Sequence, residues 1–177
     1  MENATRIAAA ISILWVLLAS AHAGGRPSLA VLPFEINDTS GEVGGTARHE
    51  AMLAGLTRVV SAAIADSGLY AVVPDEGVGR AIAQVNSGTF LRACNGCEID
   101  IAQRAGADQV LVGWIWKVST LVGTLHIEIK DVATGRTVYA RVFDFRGDNE
   151  KAWQRAAAYM VGTLKTSTAA QSSEAGQ

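Results

Sequence analysis

Two cysteines, three histidines and a scatter of carboxylates are the residues of this 177-residue chain with the widest chemical range. Cys94-Asn95-Gly96-Cys97 has the spacing shared by redox dithiols, zinc ligand pairs and short-loop disulfides. With no other cysteine in the chain, an oxidising compartment makes Cys94–Cys97 a disulfide by default, stapling the loop that leads into a helix at Glu98. Thiol–disulfide exchange is the alternative, because Cys97 precedes a helix, and helix starts lower thiol pKa values. Covalent haem attachment needs C-x-x-C-H, and Glu98 stands where the histidine must be. A closed zinc site takes about four convergent ligands and a catalytic one about three. His49 and His126 form no H-x-x-x-H, and no second C-x-x-C exists, so no metal or cofactor is expected. His126 reads as a surface residue on the polar side of a strand, and His49 as a solvated residue in a first helical turn beside Glu50.

No G-x-S-x-G elbow locates a serine nucleophile. The glycine-rich Gly41 to Gly45 lacks the Lys-Ser/Thr of a phosphate-binding loop and the spacing of G-x-G-x-x-G. It reads instead as a mobile surface loop after the first strand, and its acids Asp38 and Glu42 are candidate partner contacts. Trp114 and Trp116 share one face of a strand, with Lys117 closing the run. Core packing is the common fate of such a pair, and an aromatic patch awaiting a partner is the other, which makes Trp114, Trp116 and Lys117 candidate contacts as well. Arg146-Gly147-Asp148-Asn149 reads as a helix entry with Asp148 or Asn149 as the cap.

These residues must be positioned by a chain that is 49% hydrophobic and 18% charged, with 15 basic and 17 acidic residues. Such a composition excludes a disordered chain and a polybasic nucleic-acid binder. Leu29 to Phe34 predicts a buried strand, Asn37 to Thr46 a loop, and Arg48 to Asp66 an amphipathic helix stopped at Ser67-Gly68. Tyr70 to Val73 is a second strand, followed by short helices through about Val85 and from Glu98 to Ala105. Gln109 to Val118 is apolar enough for a strand covered on both faces. Thr124 to Val132 alternates, turns at Asp131 to Arg136, and returns as Thr137 to Phe145. A last helix carries Trp153, Ala156, Ala157, Met160, Val161 and Leu164 on one stripe. Consecutive hairpin-linked strands beside segregated helices predict an α+β fold with a two-layer, mixed sheet over residues 24–165. Residues 166–177, rich in Ser, Thr, Ala and Gln, are expected to form a disordered tail.

Residues 1–23 read as a secretory signal peptide: Arg6, an apolar run from Ile7 to Ala21, and an A-x-A pattern with cleavage between Ala23 and Gly24. A run of 15 residues is short of the roughly 20 that span a bilayer, which disfavours a membrane anchor. No cysteine follows the cleavage site to carry a lipid, and no later segment approaches spanning length.

Many short motifs in order carry a resemblance. Ala30-Val31-Leu32-Pro33-Phe34, Ser67-Gly68-Leu69-Tyr70, Cys94-Asn95-Gly96-Cys97-Glu98 and Ala105-Gly106-Ala107-Asp108 resemble a family of small bacterial secreted proteins known only as a domain of unknown function. Val112-Gly113-Trp114, Asp131-Val132-Ala133-Thr134-Gly135 and Arg146-Gly147-Asp148 extend the match to most of Leu29 to Leu164. That family is similar, more distantly, to the amino-terminal domain of the periplasmic protein TolB and to the periplasmic domain of the curli secretion lipoprotein. The chain lacks the lipidated cysteine and membrane-inserting hairpins of the curli channel. The resemblance implies a periplasmic α+β module with a bias toward protein binding. The expectation is a non-enzymatic protein that binds a periplasmic or outer-membrane protein partner, with a small-molecule binding protein, its pocket between sheet and helices, as a further alternative. More faintly, the resemblance implies a role beside periplasmic oxidation systems such as quinoprotein dehydrogenases. The surfaces expected to bind are the loop after the first strand, the cysteine-linked loop and an exposed sheet edge.

Overall fold

A computed structural model describes residues 25–85 and 90–174. The expected signal peptide over residues 1–23 and its expected cleavage between Ala23 and Gly24 lie outside the described residues. The described chain forms β1 (Ser28–Val31), β2 (Glu35–Asp38), α1 (Thr46–Ser67), β3 (Ala71–Val72) and α2 (Asp75–Gln84). A 3-10 turn at Leu91–Ala93 follows, then α3 (Cys97–Ala105), β4 (Gln109–Lys117), β5 (Val122–Asp131), β6 (Thr137–Arg146) and α4 (Glu150–Glu174). The strands form one mixed sheet in the order β3-β1-β4-β5-β6, with β2 also paired to β4. β1 and β2 run parallel to β4, and β4, β5 and β6 form an antiparallel meander.

The alternation of side chains along the strands divides the core in two. Leu29, Val31, Leu111, Ile115, Leu125, Ile127, Ile129 and Phe143 point to one face and are buried with Leu56, Val60 and Ile64 of α1 and Trp153, Met160 and Leu164 of α4. Ala30, Leu32, Val110 and Val112 point to the other, beneath Val78 and Ala81 of α2 and Ile101 and Ala102 of α3. The helices therefore lie on both faces. α1 and α4 line the first, and α2 with α3 add a partial layer over β1 and the start of β4. Val110 and Val112 of β4 are buried there, but Trp116 further along the same face is 43% exposed.

Two elements differ from the sequence expectation. The stretch from Leu29 onward is not a single strand followed by a loop: pairing with β4 breaks around Pro33 and resumes at Glu35–Asp38. Val31 is opposite Leu111, whereas Glu35 is opposite Trp114, so one extra residue is accommodated between β1 and β2. That bulge reverses the alternation and puts Asp38 on the same sheet face as its register partner Lys117. Phe34 sits at the bulge, its N–H donating to Thr57 Oγ1 at 3.0 Å and its ring lying over Gly113, where a side chain would collide with it. The second difference is the tail expected from Thr166 onward, which is helical through Glu174. The helix is already nucleated and anchored by Leu164, so each further residue adds a backbone bond at little cost. The hydroxyls of Thr166, Ser167 and Thr168 donate back to carbonyls one turn earlier, at 2.9–3.0 Å.

Candidate functional site: a bare sheet face beside two buried ion networks

On β4, Trp114 and Trp116 follow Val110 and Val112 on the face that α2 and α3 cover only in part. The β5 residue opposite Trp114 is His126, whose ring stacks on the Trp114 indole at 4.8 Å with a 14° tilt and lies 6.1 Å from Trp116. Thr124 Oγ1 lies 2.8 Å from His126 Nε2, and Trp116 Nε1 donates to Thr39 Oγ1 at 3.0 Å. Val142 of β6 is opposite His126 and 55% exposed. A row Trp114–His126–Val142 thus crosses three strands, with Trp116 beside it. Burial against the two indoles pushes the His126 pKa below its usual value, outweighing the opposite pull of Glu128 and Asp144, so the imidazole is neutral at pH 7. Sequence reasoning placed the tryptophans together on one face, and the structure adds that the face is open at Trp116.

Lys117 does not belong to that patch, contrary to the sequence expectation. It is the next residue along β4, so its side chain points to the opposite face, and it is 2% exposed. Its Nζ donates to Asp38 Oδ2 at 3.0 Å, Ser40 Oγ at 2.9 Å and Glu42 Oε2 at 2.5 Å, with Asp148 Oδ2 at 3.8 Å. Asp38 and Glu42, expected as candidate partner contacts on the loop, both accept from this lysine and bind the glycine-rich loop to the end of β4. Burial lowers the Lys117 pKa, but Glu42, Asp38 and Asp148 outweigh it and leave the value above normal, so the ammonium stays charged. Burial likewise raises the Asp38 pKa, while hydrogen bonds from Ser40 and Lys117 prevail and hold it at about 2.

His49 corrects the expectation in the same way: it is 4% exposed rather than solvated. Its ring stacks on Trp153 at 5.9 Å, and its Nε2 lies 2.9 Å from Asp148 Oδ2. Asp148 also accepts from Arg48 Nη2 at 2.7 Å, which leaves Asn149 as the residue capping α4 through the Ala152 N–H at 3.0 Å. A cleft of about 320 Å³ lined by Asp38, Glu42, Gly45, His49 and Leu53 lies beside this network. The carboxylates Asp38, Glu42 and Asp148 are each paired to a cation there, which ties the loop, α1 and the β6–α4 junction together.

Cys94 and Cys97 form a disulfide across a turn in which Asn95 and Gly96 have φ of 55° and 111°. Glycine suits the second of these, and Asn the first. Glu98 is 5% exposed, accepts from the Gly96 N–H at 3.0 Å and from Lys130 Nζ at 2.8 Å, and lies 3.4 Å from Cys94 Sγ. Burial raises the Glu98 pKa, but Lys130 and the backbone donors prevail and keep the carboxylate ionised. Ligand atoms of Cys94, Cys97 and Glu98 lie within 4.8 Å of one another, yet the sulfurs are bonded together and Glu98 is engaged by Lys130. A negative charge beside Cys94 also disfavours the thiolate that redox chemistry requires.

A family profile described as "Protein of unknown function (DUF2380)" matches residues 27–164, nearly the whole folded region. The chain belongs to this family, DUF3280. No curated protein sequence matches the DUF3280 chain. Among solved structures, it is similar to the lipoprotein GNA1162 from Neisseria meningitidis, with a TM-score of 0.50 and 19% identity over 83% of this chain and 96% of that one. It is also similar to the LpoB C-terminal domain from Salmonella enterica (TM-score 0.46, 17% identity, 72% and 88% coverage). TolB from Acinetobacter baumannii gives a TM-score of 0.42 and 18% identity over 82% of this chain and 30% of that one. At these identities the likeness is one of fold. Among the described residues, no helix is long and apolar enough to cross a membrane.

Proposed function

We propose that this DUF3280 protein is a non-enzymatic periplasmic accessory protein that recognises another envelope protein through the bare face of its sheet. The observation that carries the reading is Trp116, 43% exposed beside the Trp114–His126 stack and Val142, on strands made rigid by the core behind them. Tryptophan is the residue type most enriched where binding energy concentrates, and a half-buried indole with one satisfied N–H loses little conformational freedom on docking. The titratable groups nearest to catalytic geometry are committed elsewhere, Asp38, Glu42 and Asp148 to cations and Cys94 and Cys97 to each other. The signal-peptide pattern of residues 1–23 and a similar structure described as a lipoprotein support an envelope setting. A periplasmic oxidation system such as a quinoprotein dehydrogenase is supported by the family resemblance alone.

Affinity capture from the periplasm with wild type and Trp116→Ala tests the reading. A partner enriched by wild type over an unrelated periplasmic control, and bound about thirtyfold more weakly by the variant, is expected, since a central aromatic contributes about 2 kcal/mol or more. Equal recovery with both proteins contradicts the assigned surface.

A further inference from the structure

The sheet has two unequal edges. β3 is two residues long, whereas β6 is ten and, among the described residues, pairs only with β5. The Gly147 N–H bonds inward to Leu121 O at 3.1 Å, so by antiparallel alternation the backbone groups of Ala140, Val142 and Asp144 point outward from the sheet. The ladder irregularity between Ile129 and Lys130 distorts the start of β6 and leaves Tyr139 to Arg146 as its regular part. Alongside this part, between β6 and α4, runs a groove of about 270 Å³ lined by Phe143, Phe145, Ala152, Ala156 and Tyr159. Tyr159 is 69% exposed and meets the Phe143 ring edge-on at 5.8 Å.

Charge indicates what fits. Arg146 and Arg155 rim the groove with Asp144 as its one acid, and Arg141 lies further along the same strand. Among the described residues, none of these three arginines is in an ion pair. A second copy would bring the same excess of positive charge to the edge, which disfavours self-pairing. We propose that the β6 edge and its groove accept an extended partner segment in which acidic and apolar residues alternate, added to the sheet as a further strand. One apolar side chain lies opposite Phe143 and enters the groove. Acidic residues two positions to either side lie opposite Arg141 and opposite Phe145, beside Arg155, while the intervening side chains extend the face that carries Val142 and Arg146. The inference deepens the recognition reading and rests on it.

The probe is a fluorescein-labelled peptide with the core Glu-Val-Phe-Val-Glu, compared by anisotropy with Lys-Val-Phe-Val-Lys on the full mature protein. The acidic peptide should bind about tenfold tighter or more, and lose that advantage between 50 and 300 mM salt. Val142→Pro removes an outward N–H without touching the β5 ladder, and Arg141→Glu reverses a charge on an exposed side chain. Each should weaken the acidic peptide about tenfold while circular dichroism and melting temperature show the fold intact. Absent binding, equal binding of the two peptides, binding unchanged in both variants, or a dimer in sedimentation that Val142→Pro dissolves would each overturn the proposal. Capture of a protein partner that needs Trp116 but tolerates Val142→Pro and Arg141→Glu would sink the edge proposal and leave the recognition reading standing. Peptide binding with no Trp116-dependent partner would do the reverse.

Discussion

Replacing Lys117 with Met keeps most of the apolar stem of the side chain and removes the ammonium, its charge together with its donors to Asp38, Ser40 and Glu42. The wild-type ammonium is 2% exposed as a residue and faces Asp38, Glu42 and Asp148, so the substitution leaves three carboxylates converging on an apolar methyl group. Breaking a buried pair from one side costs about 3–5 kcal/mol. Glu42 and Asp38 have side chains 40% and 26% exposed, and water takes up part of the loss, so roughly 2–4 kcal/mol is expected at pH 7. The pH dependence gives the cause. Asp38 is lowered in the folded protein from 3.8 to about 2, so its stabilisation is present above pH 3.8 and is lost as the pH falls through 2. That shift corresponds to at most about 2–3 kcal/mol, and screening of a partly exposed carboxylate brings it nearer to about 1 kcal/mol. Without Lys117 the carboxylates repel, their pKa values rise, and the variant gains stability as they protonate. Urea unfolding of both proteins between pH 3 and 7 should show a gap widest at neutral pH and closing in acid. A gap under about 1 kcal/mol at pH 7, or one that does not change with pH, refutes the network as described.

Three further outcomes are expected. The Cys94–Cys97 disulfide should behave as a structural staple, with a reduction potential below about −300 mV; a value near −120 to −200 mV would mark an oxidant, which needs a stabilised thiolate that ionised Glu98 beside Cys94 does not favour. Gly113→Ala places a methyl group in the Phe34 ring and should destabilise by about 1–3 kcal/mol, measured by denaturant midpoint, and Phe34→Leu in the same chain should recover part of that loss. His49→Gln removes the stack on Trp153 and weakens the hold on Asp148; it should change Trp fluorescence and lower stability by about 1–3 kcal/mol, whereas a solvated histidine would give no change.

The sequence made α1, α3 and the β5–β6 hairpin legible because each is written in local periodicity and closed by Gly68, Gly106 or Gly135 in a left-handed conformation. The spacing of Trp114 and Trp116 showed that they share a face. Their exposure depends on how far α2 and α3 reach over β4, which no local pattern encodes. β2 stayed hidden because one extra residue near Pro33 resets the register, and the resumed strand, Glu-Ile-Asn-Asp, has the composition of a loop. Lys117 and His49 were misplaced for a related reason. A charged residue closing a strand or opening a helix is ordinarily solvated, and what buries these two arrives from far along the chain, Asp38 for Lys117 and Asp148 with Trp153 for His49.

Site-specific photocrosslinking in the periplasm tests the recognition surface most directly. A photoreactive amino acid at Trp116 or Val142, on the bare face, should give the same adduct with one envelope protein. At Arg80, exposed on α2, it should give none. Adducts absent at both face positions, or equally strong at Arg80, would contradict the account.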